Sequence, residues 1–526
     1  MYTITLWLAR LALFSTLISC QPRKVYDLVI LNAQVYDGLG NEPILSDIAV
    51  NGDTIAAIGK LKHGGKDTID ASGLAVSPGF IDLHTHIERL LKIPSASSHL
   101  RQGVTLTLGG PDGRSPWPFQ PYLDSLAEIK LGPNVAYLVG HNTVRSNIMG
   151  LEDRQPTPAE LTAMKAQVDT AMQAGAFGIS TGLKYLPGAF STVDEVIELS
   201  KVAASHGGIY TSHLREEGLG LIDGVQEAIQ IAQEAKIPVV LTHHKAIGLP
   251  MWGASEKTLA MVDSARAIGL DVMMDQYPYT ASQTGIAVLI PAWAMEGGIE
   301  KYRARLNDKK TRSDIKADVE FNILNDRGGG DLNRVQFGRV TWKPELEGKT
   351  LKDWAEMEGL KPTVSTGAEL VMKAQENGGA SCIFHVISEE DVQRIMQHPM
   401  AMVASDGSLV EPGDGHPHPR SYGTFPRVLG HYSRDLGVIP MKEAIRKMTS
   451  LPAARLALTD RGSIAVGNYA DLVIFNPETI ADKATFENPH QYPEGISYVI
   501  VNGIISVRPD GSINPGAGRV LKKVNN

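Results

Sequence analysis

Short apolar runs ending at turn residues open the chain, and a longer alternation of strand-like and helix-like segments follows. Between residues 25 and 78 the runs Tyr26–Leu31, Ile48–Val50 and Thr54–Ile58, with Asn51-Gly52 between the last two, predict short strands joined by tight turns. The carboxyl end repeats this pattern in Ala470–Phe475 and in Tyr498–Val501, which turns at Asn502-Gly503. Two β segments flanking everything else predict a small β-sandwich built from both chain ends, residues 21–78 plus 462–526.

Between them lie Phe80–Leu83, Thr105–Leu108, Asn134–Val139, Ala176–Ser180, Gly208–Ser212, Pro238–Thr242, Asp271–Asp275 and Ala401–Ser405, eight β-like runs mostly separated by helical stretches. Leu221, Val225, Ala228, Ile229 and Ala232 fall at helical spacing between the runs closed by His213 and His243. Those two histidines are 243 − 213 = 30 residues apart, the length of one βαβ unit. Eight such strands predict an α/β protein, a (β/α)8 TIM-type barrel over residues 79–461, with its chemistry at the strand carboxyl ends. Residues 290–380 break the alternation and read as an insertion over the barrel mouth.

At 526 residues and 43% hydrophobic, the chain can bury a large core. Its net charge of −8, with no basic block, argues against a nucleic-acid partner, which needs concentrated Lys and Arg. Leu6 to Ile18 is apolar except at polar positions such as Arg10, too short for a membrane span but suited to a secretory signal. Leu17-Ile18-Ser19-Cys20 then reads as a lipoprotein cleavage box. The expectation is a signal peptide over 1–20, a lipid anchor on Cys20 and a periplasm-facing place in a bacterial envelope, or secretion if Cys20 is not lipidated. Cys382 alone would remain after Cys20, so no intrachain disulfide is available to the mature chain.

The candidate chemistry begins at Phe80-Ile81-Asp82-Leu83-His84-Thr85-His86, where side chains two apart on a strand share a face, so Asp82, His84 and His86 point together. Alone, a His-x-His reads equally well as one histidine on a carboxylate and another in solvent. Its company favours a metal site, for which imidazoles are good ligands: His213, His243 and Asp406 each close an apolar run.

These segments resemble the amidohydrolase superfamily and, within it, the N-acyl-D-amino-acid deacylases. The resemblance runs over nearly the whole mature chain, through Pro78–His86, Val139–Arg145, Gly178–Leu183, Thr211–Arg215, His243-His244-Lys245, Ser405-Asp406-Gly407 and His418–Arg427. It implies zinc-dependent release of the acyl group from an N-acyl-D-amino acid or a small dipeptide. One zinc would rest on His84 and His86 and another on His213 and His243, with Asp406 binding metal and taking the proton of the attacking water. The family places a cysteine ligand after the second strand, whereas this chain has Gly109-Gly110-Pro111-Asp112-Gly113 there. Asp112 can replace it through oxygen or serve only as a turn residue. Lys184, at the end of the fourth strand, is the favoured alternative, as a lysine carboxylated by carbon dioxide that joins two metals, as in other amidohydrolases.

Resemblance further implies that Lys245, Tyr277 or Tyr279, and Arg420 grip the substrate's α-carboxylate, the arginine through its bidentate fork. His141 and Tyr185 are candidates for the developing oxyanion. Two alternatives stay open: a dipeptidase or cyclic-amide hydrolase on the same scaffold, and a lipid-anchored binding protein without catalysis. The complete set of metal-binding side chains stands against the second.

Overall fold

The computed structural model describes residues 25–61 and 64–523. The expected signal peptide and its Cys20 therefore lie outside the described residues. Eight short strands come from the expected runs: Phe80–Asp82, Val104–Gly109, Asn134–Tyr137, Gly178–Gly182, Ile209–His213, Val239–Leu241, Val272–Gln276 and Ala401–Val403. All ladders between them are parallel. The third pairs with the second, and its continuation Val139–Gly140 pairs with the fourth. Closure between the eighth strand and the first falls just above them, where Gly407–Ser408 pairs with Thr85–His86 and Ser405 N–H donates to the Asp82 carboxylate at 2.9 Å.

Strand alternation divides the apolar residues. Ile209, Val240, Met273 and Met402 share one buried cluster with Ile81 and Leu106, while Val239, Leu241, Val272 and Met274 join another with helical Leu221, Val225 and Ala228. The same period of two places His213 on the face of Ile209, and Asp275 on that of Met273. The connecting helix Leu221–Ala235 buries the stripe expected for it, Leu221, Val225, Ala228, Ile229 and Ala232. Helix Pro158–Gln173 starts at a capping box in which Thr157 and Glu160 exchange hydrogen bonds, with proline in its first turn.

Strands from both chain ends join one continuous eight-stranded sheet, in which Leu472–Phe475 pairs antiparallel with Ala75–Pro78. Leu28, Ile30, Ile48, Leu472, Ile474 and Ile500 form its core. The hairpin at Asn502-Gly503 has positive φ at both turn residues, 48° and 78°, the geometry that makes Asn-Gly the strongest hairpin signal.

The insertion is a compact cap. Ser282–Gly285, Val335–Arg339 and Ser381–Phe384 form an antiparallel sheet, and Ile299–Leu306, Lys309–Asn325, Leu351–Met357 and Val364–Glu376 are its main helices. Phe337 and Trp354, both fully buried, stack edge to face in its core at 5.7 Å between ring centroids.

Candidate metal centre

At the carboxyl ends of the barrel strands, His84, His86, Asp112 and Asp406 form one group of potential ligands, and Asp112, His213 and His243 form a second. Asp112 belongs to both. Its Oδ1 lies 3.3 Å from His84 Nε2, 3.5 Å from His213 Nδ1 and 3.4 Å from His243 Nε2. Asp406 Oδ1 is 3.2 Å from His86 Nε2 and 3.5 Å from His84 Nε2.

Local backbone aims these groups. Asp112, His243 and Asp406 have φ of 52°, 37° and 49°, three of the eight non-glycine residues with left-handed backbone among those described. Each such conformation costs about 1–3 kcal/mol and persists where its surroundings over-determine it. Here His243 N–H donates to Asp275 at 2.5 Å, and Asp406 N–H donates to the His84 carbonyl at 2.9 Å. Gly113 completes the Asp112 turn at φ 73°, where a Cβ would stand 2.1 Å from Asn142 Oδ1.

A metal ion fits this donor set. His84 Nε2, Asp112 Oδ1 and His213 Nδ1 are buried without a hydrogen-bond partner, although each faces another polar atom of the cluster. Such atoms are costly unless something between them is bound. Burial would raise the Asp112 carboxyl, but His84, His213 and His243 hold it well below the ordinary range. Burial acts the same way on Asp406, where Arg420 and the imidazoles of His243, His86 and His84 prevail. Both side chains are therefore ionised, as ligands must be.

A second set of carboxylates orients the imidazoles. Glu217, four residues after His213, was not singled out by any motif. Its Oε1 lies 3.1 Å from His243 Nδ1, its Oε2 lies 3.5 Å from His213 Nε2, and it pairs with the Lys245 ammonium at 2.5 Å. His86 Nδ1 similarly faces Glu88 at 3.1 Å. Carboxylates placed this way fix tautomer and ring orientation. Glu217→Gln is therefore expected to weaken metal binding by roughly 10–100-fold in a chelator-competition titration. Unchanged affinity would reduce Glu217 to a partner of Lys245.

Other expectations need correction. Lys184 is engaged elsewhere: its Nζ donates to both Glu216 carboxylate oxygens, at 3.0 and 2.9 Å. Asp82 joins neither ligand group: the chain bends at residues 83 and 84, and its buried carboxyl, pushed up by burial to about 7, accepts the N–H groups of His84 and Ser405. His141 is buried away from the cavity, with Nε2 2.8 Å from Glu195. Tyr279 packs edge-on against His418.

Tyr185, Lys245, Tyr277 and Arg420 do line a cavity of about 1090 Å³ that also reaches His86, Asp112, His213, His243 and Asp406. Arg420 pairs with Asp406 Oδ2 at 2.7 Å and lies over the Tyr277 ring at 4.7 Å. Lys245 Nζ has three hydrogen-bond contacts, with Glu217, His243 Nδ1 and the His243 carbonyl, and faces the Tyr277 ring at 5.6 Å.

A parallel barrel whose strand ends gather four imidazoles and two carboxylates around one cavity defines a metal-dependent hydrolase scaffold. Residues 67–507 match the model of the Amidohydrolase family. A D-aminoacylase of Alcaligenes xylosoxydans xylosoxydans is 36% identical over 95% of this chain and 98% of its own length. A solved D-aminoacylase structure, described for the functional role of its binuclear metal center, superposes with a TM-score of 0.81 at 36% identity, covering 95% of this chain and all of that one. An N-acyl-D-glutamate deacylase from Bordetella bronchiseptica, complexed with zinc and a phosphonate mimic of the tetrahedral intermediate, has a TM-score of 0.81 at 32% identity, with 95% and 100% coverage. The chain belongs to the amidohydrolase family.

Proposed function

We propose that this protein is a zinc-dependent deacylase that hydrolyses the amide bond of N-acyl-D-amino acids or of small dipeptides ending in a D-residue. The observation that carries this reading is the shared position of Asp112 between the two ligand groups, on a cavity also lined by Tyr277 and Arg420. Similarity to the D-aminoacylase and the N-acyl-D-glutamate deacylase supports the substrate class and its stereochemistry.

His84, His86 and Asp406 would hold one zinc, and His213 and His243 the other, with Asp112 between them. Lys184, paired with Glu216, would take no part in holding the metal. Bound zinc supplies a water of lowered pKa and polarises the scissile carbonyl. Asp406, ionised and facing both ligand histidines and Arg420, accepts the water proton and delivers it to the departing amine nitrogen. Arg420 and Tyr277 orient the α-carboxylate, with Lys245 steadied by Glu217 beside them. Tyr185, 4.5 Å from His213 between ring centroids, stands where the carbonyl oxygen would develop charge.

The cavity stands at the upper end of the roughly 300–1,000 Å³ typical of small-molecule sites and has room for an N-acyl amino acid or a dipeptide. Residues Leu6–Cys20 support an envelope location with a lipid anchor, a reading that rests on sequence alone.

The test is hydrolysis by protein from Gln21 onward of matched N-acyl-D- and N-acyl-L-amino acids, dipeptides and cyclic amides. D-selective release of the amine is expected. Turnover confined to cyclic amides would move the chain to the hydantoinase-like alternative, and turnover confined to L-substrates would remove the stereochemical assignment.

A further inference from the structure

The cap places a charged side chain in this cavity that the proposed chemistry does not use. Arg327 follows helix Lys309–Asn325 and precedes Gly328, Gly329 and Gly330, all left-handed, with φ of 116°, 56° and 79°. It is 3% exposed and lines the cavity. Among the described residues no group accepts a hydrogen bond from its guanidinium, and its Nε is buried without a partner.

The charged groups around it are otherwise engaged. Glu216 is held by Lys184 at 2.9 Å, and Glu217 by Lys245 at 2.5 Å. Asp326 Oδ2 comes within 3.5 Å of Arg327 Nε, but outside hydrogen-bond geometry, and also faces Lys184 at 3.8 Å. The guanidinium lies 5.4 Å from the centre of the Phe384 ring, and Arg327 lines the same cavity as Lys245 and Tyr277, the side chains assigned to the α-carboxylate.

A buried guanidinium whose nearest carboxylate lies outside hydrogen-bond geometry is expensive to maintain. A substrate carboxylate would satisfy its fork with two parallel hydrogen bonds. We infer that Arg327 is a specificity-determining residue that binds a second carboxylate of the substrate, in addition to the α-carboxylate. This rests on the deacylase reading above. The carboxylate can belong to the side chain of the D-residue or to the far end of the acyl group, and the two are separable by experiment.

Wild-type kcat/KM is measured for N-acetyl-D-glutamate against N-acetyl-D-glutamine, and for N-succinyl-D-alanine against N-butyryl-D-alanine. An acid-to-neutral ratio of roughly 100 in the first pair assigns the side chain, and in the second pair the acyl end. Arg327→Met should bring that ratio to about one, mostly through KM, and Arg327→Lys should restore part of it. Ratios near one in the wild type, measured without any variant, overturn the inference while leaving the deacylase reading intact. A ratio unchanged in Arg327→Met overturns it as well, since both substrates then suffer only a structural effect. No hydrolysis of any N-acyl-D-amino acid overturns both readings together.

Discussion

Asp406→Asn is expected to retain its metal and to lose turnover by roughly 10²–10⁴-fold, the contribution of a positioned proton-transfer group. The substitution keeps size and shape at a residue whose N–H donates to the His84 carbonyl and whose φ is 49°, so the left-handed backbone, which asparagine tolerates, is preserved. His84, His86 and Asp112 remain to hold the ion. What disappears is the carboxylate that accepts a proton and the ion pair with Arg420 at 2.7 Å. A released Arg420 has more freedom to meet the substrate carboxylate, so KM should change far less than kcat. Elemental analysis and steady-state kinetics on the same preparation check both halves. Near-normal turnover would take Asp406 out of proton transfer, and loss of metal in parallel with activity would make it a ligand first.

The features legible in the sequence were those governed by local periodicity. Eight apolar runs with polar residues at their carboxyl ends specify both the barrel and the ring of His213, His243 and Asp406 above it, because strand direction and chemistry coincide in this fold. Asn502-Gly503 was equally plain, since its turn geometry depends on two residues alone. Contacts between loops were not legible. Glu217 lies beyond any strand or helix and meets His243 only because the fifth and sixth strands are neighbours. Lys184 ends the fourth strand as a bridging lysine would, yet Glu216 from the next loop draws its ammonium aside. Tyr277 and Tyr279 are indistinguishable by motif and both pack edge-on against His418; only the cavity, which Tyr277 lines beneath Arg420, separates them. Arg327 lies in the cap, where no repeating pattern reports which side chains face the cavity.

Metal content separates the two candidate bridges, and here the expected contrast is large. The wild type should bind two zinc ions per chain, and Asp112→Ala should retain no more than one, with activity falling alongside. Asp112 is the single side chain common to both ligand groups, and without it the second group keeps only His213 and His243. Two neutral imidazoles are a weak set beside the three protein ligands usual at catalytic zinc. Lys184→Ala should leave the metal count at two, because the lysine it removes is paired with Glu216. Loss of that ammonium leaves Glu216 without its paired cation and Asp326 facing Arg327 alone, so this variant should show a lowered melting temperature or an altered KM. Asp112→Cys offers the complementary check: a thiolate in the same turn is a good zinc ligand and should recover metal that alanine loses. A metal count that falls in Lys184→Ala and holds in Asp112→Ala would reverse the assignment and return the bridge to a carboxylated lysine.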